Sequence, residues 1–166
     1  MNKQEVIQAA VQMETDGRDF YLEAAAKMTN PAVREVLEHL AADEVKHIEW
    51  INEVLGPHNA EKEARSDAYD HLRHVFKEMP AEDRQKILAS ETDLDPLRKA
   101  LDFENRAVGA YAKWAEEMED ESVRKMCLQL VDVEKFHVEL ITNTLLYLEN
   151  PTEFFQQEEG WMGDGG

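Results

Sequence analysis

Apolar residues recur at intervals of three and four along four long stretches of the chain, the spacing of helices that each bury one face. These stretches contain few glycines or prolines and are rich in alanine, leucine, glutamate and lysine, which favour helix. The spacing predicts an all-α protein with helices over residues 3–29, 31–55, 96–118 and 121–149. Helices of this length favour a bundle, and the interval 56–95 predicts a long helical crossover between two hairpins.

The second half of the chain repeats the first. When the sequence is shifted by 90 residues, residues 10–55 align with 100–145 without a gap, and 13 of the 46 aligned positions are identical. The repeat predicts two copies of one helical hairpin, related by a pseudo-twofold axis. We expect them to form one bundle over 1–150, followed by a tail over 151–166 whose aromatic residues suggest docking.

One level of the predicted core is polar. Each core-facing row is apolar except at this level, where the sequence places Glu14, Glu44, His47, Glu104, Glu134 and His137. In Glu-x-x-His the two side chains lie on the same helix face, one turn apart. Burying an unpaired carboxylate costs several kcal/mol, and no lysine or arginine occupies these rows to neutralise the four glutamates.

Two divalent cations would remove this cost, because their four positive charges match four carboxylates and each neutral imidazole adds a nitrogen ligand. One glutamate from each of two helices plus Glu-x-x-His from each of the other two is the dinuclear site of ferritin-like bundles. A single Glu-x-x-His means little in a chain this rich in glutamate, whereas two copies related by the repeat indicate a metal site. Such oxygen-rich ligation suits iron or manganese.

Composition narrows the classes of function. The chain carries 18 Lys+Arg against 36 Asp+Glu, a net charge of −18, which argues against binding to nucleic acid or to anionic membrane surfaces. Cys127 is the single cysteine, which excludes an intramolecular disulfide and a four-thiolate metal site. The first residues lack the apolar core of a signal peptide, and no apolar run approaches the roughly 20 residues that cross a bilayer. We therefore expect a cytoplasmic protein.

The residues around the polar level resemble the ferritin-like superfamily and, within it, the rubrerythrin-type proteins. The matching strings are Glu14-x-x-Gly17-x-x-Phe20-Tyr21-x-x-x-Ala25 and Leu40-Ala41-x-x-Glu44-x-x-His47, repeated in outline by Glu104 with Tyr111 and by Glu134-x-x-His137. The resemblance covers residues 1–150. It implies a ferritin-like four-helix bundle that binds two Fe ions per chain, with Mn as the alternative, and that oxidises Fe(II) with hydrogen peroxide or dioxygen.

The resemblance also implies roles within the site. Glu44 and Glu134 would bridge the two ions, and each of the other four residues would bind one ion. Tyr21 and Tyr111 lie two helical turns beyond the glutamate of their own helix. We expect each hydroxyl to hydrogen-bond a ligand carboxylate in the opposite hairpin and so to orient it.

Two departures from the rubrerythrin pattern bear on function. Ala107 stands where rubrerythrins commonly carry an extra carboxylate, so the six-residue set is similar to the more symmetric site of bacterioferritins. One cysteine cannot build the four-cysteine centre of a rubredoxin domain, so peroxidase activity would need an external electron donor. The bacterioferritin haem is not implied, because Val45 follows Glu44 where its methionine ligand is expected.

These observations leave several functions open. The leading one is a diiron oxidoreductase of the rubrerythrin-like peroxidase kind, and the nearest alternative is a ferroxidase that feeds an iron store. A hydroxylase of the demethoxyubiquinone type would need an apolar face for a lipid, which the acidic surface disfavours. A non-catalytic metal-binding bundle is the remaining alternative. Because paired hairpins leave an apolar outer strip, we expect a homodimer with the first or second helix at its interface.

Overall fold

The computed structural model describes residues 2–54 and 94–150. These residues form four helices, α1 Lys3–Lys27, α2 Pro31–Val54, α3 Leu94–Glu117 and α4 Glu121–Glu149. The predicted all-α fold class is confirmed, and each helix begins and ends within two residues of its predicted bounds. The predicted tail 151–166 and nearly all of the predicted crossover 56–95 lie outside the described residues.

Side-chain caps fix where the helices begin. Asn2 caps α1 in a capping box, in which its side chain accepts from the Glu5 N–H while Glu5 accepts from the Asn2 N–H. Asn30 accepts from N–H groups at the start of α2, the nearer at 2.9 Å, and Pro31 fills the first helical position, where no N–H is needed. Asp120 caps α4 in the same way at 3.1 Å. Since Asn30 and Asp120 correspond under the 90-residue shift, the corners of the two hairpins are built alike.

The core consists of two apolar clusters at opposite ends of the bundle. One cluster combines the end of α1 with the starts of α2 and α3 and the end of α4, and the other combines the remaining ends. It follows that α1 and α4 run in one direction and α2 and α3 in the other. The tightest packing is within the hairpins, α1 against α2 and α3 against α4. Because α2 and α3 are parallel, the end of α2 and the start of α3 lie at opposite ends of the bundle, in agreement with the long sequence interval between them.

Two further features bear on function. Cys127 is buried among apolar residues of α4, and burial raises the pKa of its thiol to about 11, so the group stays neutral at physiological pH. None of the described helices is both long and apolar enough to cross a membrane. The polar level predicted from the sequence lies between the two apolar clusters.

Candidate metal centre

Six polar side chains lie together in the middle of the bundle. They have exposed fractions of 0–2% and are Glu14, Glu44, His47, Glu104, Glu134 and His137. α1 and α3 each contribute one glutamate, and α2 and α4 each contribute a glutamate and a histidine one turn apart. The structure therefore brings together every residue that the sequence predicts as a metal ligand.

The first half of the cluster surrounds His47. Its Nδ1 lies 2.9 Å from Glu14 Oε2, 3.2 Å from Glu44 Oε2 and 3.5 Å from Glu134 Oε1. One ligand atom from each of these four residues lies within 4.8 Å of the others, which is close enough to surround a single ion.

The second half surrounds His137 and uses two of the same glutamates. The Nδ1 atom of His137 lies 2.9 Å from Glu134 Oε2, 3.3 Å from Glu104 Oε1 and 3.6 Å from Glu44 Oε1. Again one ligand atom from each of the four residues lies within 4.8 Å of the others. Glu44 and Glu134 therefore direct one oxygen toward each histidine, and the two imidazole rings are stacked with centroids 5.3 Å apart.

Several of these atoms have no hydrogen-bond partner among the described residues. They are Glu104 Oε2, both carboxylate oxygens of Glu134, both ring nitrogens of His137 and Nε2 of His47. His137 Nδ1 and Glu134 Oε2 are therefore close to each other but are not oriented to form a hydrogen bond. Leaving buried polar atoms unsatisfied costs about 1–3 kcal/mol each. Cations between the two sets of oxygens would satisfy most of these atoms, so the donor set and its geometry fit a pair of metal ions.

Two tyrosines connect the hairpins at this level. The Tyr21 hydroxyl donates to Glu104 Oε1, and the Tyr111 hydroxyl donates to Glu14 Oε1. Each hydrogen bond runs from one hairpin to a glutamate of the other, in line with the sequence-based expectation. Burial first, and then the neighbouring carboxylates, raise the pKa of both phenols well above 10, so both keep their protons and remain donors.

Comparison with known proteins agrees with this geometry. The family model described as Rubrerythrin matches residues 5–145, which include all six buried ligands and both tyrosines. The chain belongs to the rubrerythrin family. The comparisons with curated proteins and with solved structures give no significant match.

In this rubrerythrin-family chain, burial and mutual repulsion shift the pKa values of the clustered carboxylates. Burial, together with the charges of the other carboxylates, raises the pKa of Glu44 and of Glu134 well above 4.5. Burial alone also raises the pKa of Glu14, but hydrogen bonds and charge from its neighbours outweigh burial and lower it to about 2. Burial lowers the pKa of His137, but the nearby glutamates raise it by more, so the net shift is upward. A cation that bound these oxygens would therefore displace protons.

Small residues leave room for the ligands. Gly17 lies one turn after Glu14, and a Cβ at this position would be 2.9 Å from Phe103 Cε1 and 3.4 Å from Glu44 Oε1. Its counterpart in the repeat, Ala107, is 2% exposed. Neither small residue offers a ligand atom, so the described centre of this rubrerythrin relative has the six-residue set.

Asp43, which was not predicted from the sequence, is also buried beside the site. This residue is 2% exposed, and its Oδ2 lies 3.6 Å from His137 Nε2. Its Oδ1 accepts a hydrogen bond from Lys46 Nζ at 2.8 Å. The available signal was the mismatch between the repeats, because Asp43 aligns with Val133.

Proposed function

We propose that this chain is a dinuclear iron oxidoreductase that binds two Fe ions and oxidises Fe(II) with hydrogen peroxide or dioxygen, in the manner of a rubrerythrin-like peroxidase. The observation that carries the proposal is the sharing of Glu44 and Glu134 between two buried quartets of ligand atoms. Membership of the rubrerythrin family supports iron as the metal. Manganese accepts the same ligands, so availability decides between the two.

The six side chains would hold the ions in two ways, as shared ligands and as ligands to one ion each. Glu44 and Glu134, each with one oxygen toward each histidine, would bridge the pair, while Glu14 with His47 and Glu104 with His137 would hold one ion each. When bound, two iron ions supply the electrons that reduce the O–O bond of the oxidant.

The surrounding residues control orientation, water and protons. Tyr21 and Tyr111 fix the glutamates of α3 and α1 by hydrogen bonds across the bundle. The two apolar clusters above and below the polar layer limit the entry of water from the ends of the bundle. Because the phenols keep their protons, each Tyr Oη–H remains a donor to its glutamate while the charge of the centre changes.

The electrons that return the centre to Fe(II) would come from an external donor. Cys127 is the only cysteine of the sequence and it is buried, so the sequence given cannot form the four-cysteine centre that serves as a donor in rubrerythrins with a rubredoxin domain.

We also propose a homodimer formed through the first hairpin. Exposed apolar residues support an interface: Leu22 of α1 and Val45 of α2 are 50% and 39% exposed, and Leu128 and Phe136 of α4 are 45% and 50% exposed. Analytical ultracentrifugation of the wild type and a Leu22→Asp, Val45→Asp double variant tests the dimer, and a monomeric wild type contradicts it.

The function is tested by anaerobic Fe(II) titration followed by stopped-flow mixing with peroxide and, separately, with dioxygen. We expect two irons per chain and a faster reaction with peroxide. Glu134→Gln keeps the size of the side chain but removes the shared charge, so we expect it to bind fewer than two irons. The matched control is Glu49→Gln on the exposed face of α2, which should leave stoichiometry and rates unchanged.

The outcomes separate the candidate functions. Faster reaction with dioxygen, with uptake continuing beyond two irons per chain, would favour the ferroxidase that feeds a store. Two bound irons that react no faster than aqueous iron would favour the non-catalytic metal-binding bundle. Binding well below two irons per chain, unchanged by Glu134→Gln, would contradict the metal centre itself.

A further inference from the structure

The two histidines of the centre differ in what lies behind the ring. Both direct Nδ1 toward the glutamates, which leaves Nε2 on the far side. Behind His137, the nearest charged group is the buried carboxylate of Asp43, whose Oδ2 lies 3.6 Å from Nε2. Nε2 of His47 is also buried, and neither Nε2 atom has a hydrogen-bond partner among the described residues.

This difference breaks the symmetry of the repeat. Under the 90-residue shift, Asp43 corresponds to Val133, which is buried with 4% exposure, and Lys46 corresponds to Phe136. The first pair is charged and joined by a 2.8 Å hydrogen bond, whereas the second pair is apolar. All six ligands and both tyrosines have identical counterparts, so the asymmetry lies in other residues, among them the pair behind each histidine.

A carboxylate on the far side of a metal-binding imidazole affects both the orientation of the ring and its strength as a ligand. A histidine that binds a metal through Nδ1 carries its proton on Nε2, and a carboxylate that accepts this proton fixes the ring and makes Nδ1 a stronger donor. The present 3.6 Å separation is longer than a hydrogen bond. A movement of about 0.5 Å by either side chain would bring the pair into hydrogen-bond range. Valine at the corresponding position offers His47 no acceptor.

We propose that the two metal positions are inequivalent, that the position of His137 and Glu104 binds the first ion, and that Asp43 is the positioning residue responsible. The inference rests on the proposed dinuclear centre and adds an order of filling to it. The position of His47 and Glu14 is then the weaker one, where an ion exchanges more readily with solution.

Two binding steps alone do not establish this order. The shared glutamates make the second ion bind more weakly than the first even in a symmetric centre, because the first ion neutralises part of their charge. The discriminating measurements are therefore made on variants, by anaerobic calorimetric titration of metal-free protein with Fe(II). Asp43→Asn removes the charge with almost no change in size, and Val133→Asp gives His47 the carboxylate that it lacks.

For Asp43→Asn we expect the affinity for the first ion to fall about 10- to 100-fold, with a much smaller change for the second. For Val133→Asp we expect the second ion to bind more tightly, so that the two steps move closer together. Thermal unfolding of both metal-free variants monitors folding, and Lys46→Met provides a further variant at a half-exposed side chain that leaves Asp43 in place. That variant should retain the strong first step.

A spectroscopic measurement assigns the first ion to one histidine. With one equivalent of Co(II), a metal-bound histidine shows a paramagnetically shifted Nε2–H proton in the NMR spectrum, and this proton exchanges slowly when a carboxylate accepts it. We expect one slowly exchanging signal in the wild type, which exchanges faster in Asp43→Asn and is absent in His137→Ala but present in His47→Ala.

Three results would overturn the proposal: an unchanged first-ion affinity in Asp43→Asn, an equal loss at both steps, or a first signal that disappears with His47→Ala instead. A wild type that binds no iron or cobalt at all would instead contradict the dinuclear centre. The failure of the order of filling and the failure of the proposed function are thus distinguishable.

Discussion

Individual donors determine how the buried carboxylates of this bundle are held. Glu14 Oε1 accepts from the Tyr111 hydroxyl, and Glu14 Oε2 lies 2.9 Å from His47 Nδ1. Hydrogen bonding with Glu44 first, and then the contacts with His47 and Tyr111, lower the pKa of Glu14 to about 2 despite burial, which by itself raises it. One glutamate of the cluster is therefore kept charged by its neighbours, while Glu44 and Glu134 have raised pKa values. Removing the phenol should disturb the carboxylate that it orients.

We predict that Tyr111→Phe weakens Fe(II) binding by about 10- to 100-fold, because Glu14 loses the donor that orients it. Anaerobic calorimetry measures the affinity. Tyr147→Phe makes the same change at a buried tyrosine ten residues beyond His137 on α4, and it should leave the affinity at the wild-type value. Equal losses of affinity in the two variants would show that the phenol of Tyr111 has no specific role.

The sequence identifies the six candidate ligands because each breaks an apolar row and each has a counterpart in the repeat. The burial of Asp43 could not be predicted in this way, for a physical reason. It directly precedes Glu44 in an acidic helix, where an aspartate usually faces water, and its burial depends on how α4 packs against α2. The sequence shows which face of a helix is apolar, but it does not show how far the neighbouring helix covers the edge of that face.

At the level of elements, α1 and α3 approach one another closely beside the metal centre. Gly17 on α1 faces the ring of Phe103 on α3, where an added Cβ would lie 2.9 Å from Cε1. Gly109 on α3 is exposed, and a Cβ there would meet nothing within 4 Å. The two glycines therefore lower the stability of their helices to the same extent through their low helix propensity, but the space around them differs.

We predict opposite effects of alanine at these two positions on the free energy of unfolding. Gly109→Ala should stabilise the protein by about 1 kcal/mol, because alanine is the better helix former and nothing obstructs it. Gly17→Ala should destabilise it by about 1 kcal/mol, because crowding against Phe103 costs about 1–3 kcal/mol and exceeds the same helical gain. Urea unfolding of the metal-free variants measures both. Equal stabilisation by the two substitutions would show that Phe103 moves away without cost.

Helix bounds illustrate the same limit of sequence reasoning. The predicted starts of α2 and α4 agree with the structure, in which Asn30 and Asp120 cap these helices. α3 instead begins at Leu94, two residues before its predicted start, and places Pro96 within the first turn. Proline is tolerated throughout the first turn of a helix, so its position alone does not specify the first residue.

For the molecule as a whole, the buried cluster connects stability to pH. The folded-state pKa values of Glu44 and Glu134 are raised. The protonated forms of these two residues therefore stabilise the folded state fully below about pH 4.5. This stabilisation is lost as pH rises through the raised pKa values. His137 acts in the same direction, from 6.5 upward. Glu14 acts in the opposite direction, but its contribution changes only between about 2 and 4.5. Above pH 4.5, the raised pKa values of Glu44, Glu134 and His137 therefore all make the folded state less stable as pH increases.

We predict that the metal-free protein loses stability between pH 5.5 and pH 8.5 and that Glu134→Gln reduces this loss, because the amide has no proton to give up. Each pKa unit by which the folded state exceeds the unfolded state corresponds to about 1.4 kcal/mol, so Glu134→Gln should be more stable than the wild type at the alkaline end. Urea unfolding across this range measures the difference, with Glu49→Gln at an exposed site of α2 as the matched control. Saturating Mn(II) should reverse the trend in the wild type, because the ions bind the deprotonated carboxylates and exclude the protons. If the wild type and Glu134→Gln lose stability in parallel as pH rises, then protons on Glu134 do not hold the metal-free centre together.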